Sequence, residues 1–346
     1  MGSLLSYSGV ITKIRAMEKN LISDDEFREI VSLPSVSAIE AYLMKNPRYA
    51  EEFRRFPTEE VHRGVLESIL GCTVFRDYVK IFHFCTMEQR KFLRKYVRRY
   101  EIRLLKKCLS FVCQGSTPTD SMFAYGDFFD RYTSLDTKAL SACTSVAELL
   151  HAIRDTEYAP VLARIDEIPD ASLFDYETAL DMYHFRTGWK DLGKILPKDS
   201  LEAVAAGYGT KMDLLNLWYI HRARAFYRMN KADTFALLIP VRFKLRKEEI
   251  EALVGADSEE EFRKALADTR YGRKYPDLAP ENLESMYNTI CRKVLGEQAK
   301  KNPYSIASIY HYLFLREHEE YRLTSAVECV RYGVKPDEAM EMILTL

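Results

Sequence analysis

The chain has 346 residues, 47% of them hydrophobic and 29% charged, and its fifty basic and fifty-one acidic side chains leave a formal net charge of -1. That is the composition of a globular protein of two or three structural units, and the balanced charge names no nucleic-acid or membrane partner. Glycine is scarce at 14 residues, which disfavours strand-and-turn folds and glycine-rich phosphate loops.

In chain order, the opening Met1-Gly2-Ser3-Leu4-Leu5-Ser6 fits the acylation pattern M-G-x-x-x-[ST], which is short enough to arise often by chance. From Ile22 to Tyr49 the sequence predicts a helical hairpin. Ser37 and Glu40 form a capping box, a hydroxyl and a carboxylate that satisfy free amides at a helix start, and Ile39/Leu43 form an i,i+4 apolar pair. The same unit recurs at Leu135–Tyr158 with Ser145/Glu148 and Leu149/Ile153, and at Leu245–Tyr271 with Ser258/Glu261 and Phe262/Leu266. The closing tyrosines are 109 and 113 residues apart. A period near 110 is the size of a small domain rather than a solenoid repeat of ~20–50 residues. It predicts three similar helical domains at 1–115, 116–235 and 236–346.

Between the first two units lies the strongest charge feature, a helix over Arg90–Lys107. Leu93, Tyr96, Val97, Tyr100 and Leu104 make its apolar stripe, while Lys91, Arg94, Lys95, Arg98 and Arg99 take the other side and are the candidate interface residues. A solvated face whose long stems cover the core edge is the bland reading; a face for an acidic partner or for phosphate is the sharp one. Linkers are expected at Gln114–Asp120, Pro169–Ser172 and Pro240–Leu245. A later helix recurs as Glu101-Ile-Arg-Leu-Leu-Lys, Asp213-Leu-Leu-Asn-Leu-Trp and Glu319-Glu-Tyr-Arg-Leu-Thr, with Leu104, Leu217 and Leu323 taken as equivalents. Asn302-Pro303 predicts a helix entry leading to the apolar face Ile306, Ile309, Tyr310, Leu313 and Phe314. Gly333 predicts a stop and Pro336-Asp337-Glu338 a restart. The fold class is all-α.

Chemistry leaves little trace. No Walker loop or G-x-G-x-x-G occurs, and Gly207-Tyr208-Gly209 reads as a loop. His311 and His318 are two helical turns apart, a poor spacing for metal, and His221 reads as core filling beside Trp218. The seven scattered cysteines contain no C-x-x-C and read as small buried hydrophobes. With no run near the ~18 apolar residues of a membrane span, the chain is expected to be cytosolic, without metal or cofactor.

Tyr7-Ser-Gly-Val-Ile-Thr-Lys-Ile-Arg15-Ala-Met-Glu-Lys-Asn-Leu21-Ile-Ser23 resembles the first helix of the C subunit of V/A-type ATPases, the relative of the eukaryotic d subunit. Cys329-Val-Arg-Tyr-Gly333-Val-Lys-Pro336-Asp-Glu338 is similar to that family's closing helix–Gly–Pro pattern. Of the family's acid-x-x-Asn-Leu pattern, Asp213, Asn216 and Leu217 keep it, and Arg103 and Arg322 stand for the asparagine elsewhere. The resemblance implies three helical domains in a pseudo-threefold, funnel-like arrangement. It also implies a non-catalytic coupling role at the cytosolic face of the membrane proteolipid ring, with the central stalk proteins (D/F type) as the other partner and no nucleic acid. The rival reading is a helical scaffold or nucleic-acid-binding protein that uses the basic helix.

Overall fold

The computed structural model of the chain describes residues 2–55 and 63–345; Met1, which opens the acylation pattern, lies outside them. Among the described residues every regular element is a helix, as expected of an all-α chain. Two compact units emerge: residues up to His184 together with Tyr312–Leu344, and Phe185–His311 together with Thr345.

The first unit begins with α1 (Gly2–Glu18), α2 (Asp24–Val31), α3 (Val36–Leu43) and α4 (Pro47–Arg55). The long helices α5 (Arg63–Phe84) and α6 (Met87–Val112) follow, then α7 (Gly126–Tyr132), α8 (Thr137–Ser141), α9 (Val146–Ala152), α10 (Ala159–Asp166) and the start of α11 (Leu173–Ile195). The second unit holds α12 (Lys198–Ala225), α13 (Lys231–Ala236), α14 (Lys247–Gly255), α15 (Glu259–Asp268), α16 (Arg270–Lys274) and α17 (Leu283–Lys301). The chain returns to the first unit along α18 (Ile306–Arg331) and ends with α19 (Pro336–Thr345).

Local chemistry sets these boundaries. Ser145 and Ser258 cap α9 and α15 by accepting from the amides of Glu148 and Glu261. Each glutamate reaches back one residue further than a standard box, to the amides of Thr144 and Asp257, both at 2.7 Å. In the first hairpin the cap of α3 is Ser35, which accepts from Ala38, so Ser37 lies inside the first turn rather than at its start. The three apolar pairs are buried as expected. The Asn302-Pro303 entry shifts as well. Asn302 caps the end of α17, the chain turns through Pro303, and α18 starts at Ile306 after Ser305 accepts from the Ala307 amide. Proline stops the incoming helix there instead of opening the outgoing one. Gly333, at φ 68°, ends α18 with the Val334 amide bonded to the Cys329 carbonyl, and Pro336 opens α19. The three expected linkers are non-helical, apart from Asp120, which opens a short 3-10 turn.

In the first unit, Phe27, Ile30, Ile39, Leu43 and Tyr49 share one core with Leu323, Val327 and Ile343, so the N-terminal hairpin packs on helices from the far end of the chain. In the second unit, α12 packs along α17. Gly207 and Gly209 lie within α12, not in a loop. A Cβ at Gly207 would overlap Leu295 of α17, and one at Gly209 would overlap Phe243. The two glycines cost helix propensity but allow close approach. Six of the seven cysteines are buried free thiols, and Cys113 is exposed. The His221 ring rests on Phe226 and Phe262, while Trp218 lies under the Arg222 guanidinium.

His311 closes the second unit opposite Gly296, where an added Cβ would stand 3.5 Å from its Nε2. Burial, helped by the nearby Lys300 charge, lowers the His311 pKa from 6.5 to about 4. The folded state thus keeps the ring neutral while the unfolded chain protonates it first. The stability this group contributes is complete above pH 6.5 and is lost as pH falls toward about 4. In urea titrations across that window, His311→Gln is expected to flatten the decline in midpoint seen for the parent chain.

Candidate functional site: three carboxylates that anchor helical hairpins

Each hairpin predicted from the repeat ends in a buried tyrosine, and each tyrosine donates to a buried carboxylate on a long helix. Tyr158 Oη donates to Glu101 Oε2 of α6 at 2.7 Å. Tyr271 Oη donates to Asp213 Oδ2 of α12 at 2.9 Å, and Tyr49 Oη donates to Glu319 Oε1 of α18 at 2.6 Å. The same carboxylates accept backbone amides where each hairpin begins. Ser134 N reaches Glu101, Ile22 N reaches Glu319, and the amides of Phe243, Lys244 and Leu245 converge on Asp213 at 3.0, 2.6 and 3.2 Å. One acid thus clamps both ends of a hairpin, by its first amide and its last phenol.

Burial pushes the Glu101 and Asp213 carboxyls above their usual range, and the hydrogen bonds they accept pull them back toward it. All three phenols are raised, first by burial and then by the carboxylate each faces, so they remain protonated donors at neutral pH. Three residues beyond its acid, α12 carries Asn216, whose amide pairs both ways with the backbone of Ile239 and fixes the approach to the third hairpin. The matching place on α18 is Arg322, bonded to Asp24 at 2.7 Å and stacked over Phe27. On α6 it is Leu104, not Arg103; aligning on the acids makes Leu105 the equivalent of Leu217 and Leu323 and moves that register by one residue.

The Glu319 junction is the most charged. Arg316, fully buried, bonds Asp77 through Nε at 2.9 Å and Thr73 through Nη2 at 2.8 Å, and its Nη1 stands 2.9 Å from Glu319. Arg48 lies near both acids, at 3.4 Å from Asp77 and 3.5 Å from Glu319, and donates to the Met17 carbonyl at 2.6 Å. Tyr312 donates to Asp77. Two cations and two anions therefore neutralise each other where water cannot screen them.

The five candidate interface residues divide between surface and interior. Lys91 is exposed and pairs with Glu88, Arg94 is exposed over the Phe82 ring, and Lys95 is half-buried. Arg98 is buried and grips Glu157 bidentately, and Arg99 pairs with Glu317 at 2.8 Å. The apolar stripe of the same helix is buried throughout. The first unit also holds a cavity of about 190 Å³ whose lining mixes rings (Phe75, Tyr125) with charges (Arg103, Glu320). Among the described residues no group of three or more His, Cys, Asp or Glu side chains could hold a metal ion. No helix there is long and apolar enough to cross a membrane.

Sequence reasoning misses the anchoring role of the acids, although each stands first in its recurring hexapeptide. Their signal is spacing: Glu101 precedes Tyr158 by 57 residues and Asp213 precedes Tyr271 by 58. Tyr49 breaks the rule because its acid lies 270 residues away at the other end of the chain.

Fold and site together define an all-helical protein in which one hairpin-and-anchor junction is used three times. The chain belongs to the ATP synthase (C/AC39) subunit family, whose model matches residues 10–342. It is similar to the A-type ATP synthase C subunit of Methanosarcina mazei, 22% identical over 91% of this chain and 86% of the relative. It is similar also to the C subunits of the A-type ATP synthases of Thermococcus kodakarensis and Pyrococcus abyssi, 22% and 23% identical over 97% of this chain and 90% of each relative. The chain is accordingly a rotary-ATPase-type subunit.

Two outcomes follow for the junctions. Tyr49→Phe, Tyr158→Phe and Tyr271→Phe should each cost about 1–3 kcal/mol in denaturant unfolding, the range for removing a donor from a buried acceptor. Arg316→Met should cost more, about 3–5 kcal/mol, because Asp77 and Glu319 lose their central cation; a cost below that of Tyr49→Phe would contradict this account of the cluster.

Proposed function

We propose that this chain is the central-axis subunit of a V/A-type rotary ATPase, linking the central stalk to the membrane proteolipid ring and doing no nucleotide chemistry of its own. The observation that carries the reading is the family match over residues 10–342, with C-subunit relatives from A-type ATP synthases aligned along nearly their whole length. In this role the protein transmits torque between ATP hydrolysis or synthesis in a catalytic head and proton or sodium movement at the ring. It binds the ring's cytosolic face and stalk proteins of the D/F type, and stays peripheral to the bilayer.

The architecture supports the reading through its repeat. Blocks 1–115, 116–235 and 236–346 each contribute one hairpin and one anchoring acid, and each hairpin docks on the acid of the preceding block. The second block's hairpin uses Glu101 and the third's uses Asp213, while the first block's hairpin uses Glu319 of the third and so closes the cycle. The pseudo-threefold, funnel-like arrangement of three domains in this proposal comes from the family resemblance. Directional buried bonds also suit a part that must hold its helices in register under load.

Deleting the gene is expected to leave head and membrane sector each assembled but separable, with ATP hydrolysis no longer tied to ion transport. The isolated chain is expected to turn over no ATP. Normal ion pumping in the deletion strain, together with capture of RNA by the tagged protein through the α6 face, would overturn the reading in favour of the scaffold alternative.

A further inference from the structure

One end of the first unit exposes large apolar side chains that its own core does not cover. Leu4 and Leu5 in the first turn of α1 are 51% and 77% exposed, and Phe84 and Met87 at the α5–α6 turn are 52% and 65% exposed. The two tips are adjacent, since Gln89 Nε2 donates to the Ser6 carbonyl at 3.0 Å. Clustered exposed apolar side chains on a charged surface mark interaction sites rather than folding cores.

The surrounding charge identifies the partner. The Lys13 ammonium stands 5.8 Å from the Phe84 ring centroid. Arg90 and Arg94 lie over Phe82, two residues before Phe84, and Lys91 is exposed on the next turn of α6. Lys80 is close enough to Lys13 for the two charges to repel. Of the acids near these five cations, Glu88 is exposed and pairs with Lys91, Asp77 reaches Lys80 at 3.7 Å from inside the fold, and the exposed Glu51, which also attracts Lys80, is paired with Arg76. A chain of net charge -1 therefore concentrates positive charge around its exposed apolar tips.

We infer that this end of the first unit, Leu4, Leu5, Phe84 and Met87 ringed by Lys13, Lys80, Arg90, Lys91 and Arg94, is a contact surface for an anionic lipid bilayer. Short apolar tips enter the headgroup–acyl boundary, while lysine and arginine stems lie along it with their charges among the lipid phosphates. Each element is weak alone, and binding takes both together: apolar insertion supplies depth, and basic charge supplies attraction to a negative surface. The inference goes beyond the family reading and does not depend on it, because it concerns lipid rather than the ring or stalk proteins.

The test is flotation of the purified full chain with phosphatidylcholine vesicles made with and without phosphatidylglycerol. Binding is expected for the anionic vesicles only, weakening as salt rises. The double change Phe84→Glu/Met87→Glu, and separately Lys91→Glu/Arg94→Glu, should each reduce bound protein about tenfold or more. These side chains are exposed, and unchanged circular dichroism and melting would show that the variants fold. Leu5→Glu, on the other tip, gives an independent reading of the same loss, and Phe84→Trp should blue-shift its emission on binding. Absence of flotation with anionic vesicles, or flotation indifferent to all three charge-introducing variants, overturns the proposal. So does capture of proteolipid ring in detergent by a chain that ignores vesicles, which would assign the patch to protein contact.

Discussion

A carboxylate removed from water must find donors where the chain can place them, and in this protein that requirement is met the same way three times. Glu101, Asp213 and Glu319 sit inside long helices, where their own backbones offer no free amide, so the donors arrive from another segment. A phenol and the first amides of a hairpin fulfil the need, and in doing so they fix where that hairpin begins and where it stops. Apolar pairs such as Ile39/Leu43 and Phe262/Leu266 then bury the hairpin's face. Hydrophobic burial supplies most of the free energy, but it is non-directional. The position of each hairpin along its helix is set by the polar contacts.

Much of this is legible in sequence and part is not, for reasons that differ by residue. Helical periodicity and serine caps are local, so the hairpins and linkers can be read directly, with Ser35 displacing Ser37 because either hydroxyl can start the same helix. Gly207 and Gly209 suggest a loop because glycine ordinarily weakens a helix, and only the bulk of Leu295 and Phe243 across the packing interface shows what their missing side chains accomplish. Pro303 is ambiguous in sequence because proline can either end or begin a helix. Arg98 and Arg99 look like surface charge on a helical wheel; their partners Glu157 and Glu317 lie 59 and 218 residues away, beyond any local pattern.

The anchors illustrate the limit most clearly. A near-constant spacing of 57 or 58 residues from acid to tyrosine is recoverable from sequence for two copies, but the third pairing is between Tyr49 and Glu319. Linear reading places each hairpin with the helix that follows it in the chain. The molecule places each hairpin with the helix that precedes it, and a first copy has no predecessor except the last. The hairpin nearest the start of the chain is thus paired with a helix near its end.

The Glu319 junction differs from the other two in carrying extra cations and in the length of chain between its partners. In the other two junctions acid and tyrosine are joined by a covalent stretch of fewer than sixty residues, which limits how far the partners can separate. Closing a loop of 270 residues carries a larger entropic cost, growing roughly as (3/2)RT ln n. The difference from a 57-residue loop is only about 1 kcal/mol, yet it falls on the one junction that holds both ends of the chain together. Arg316, Arg48, Asp77 and Tyr312 surround that junction with further directional bonds. The place where register depends least on chain connectivity is thus the place where this protein concentrates its buried charge.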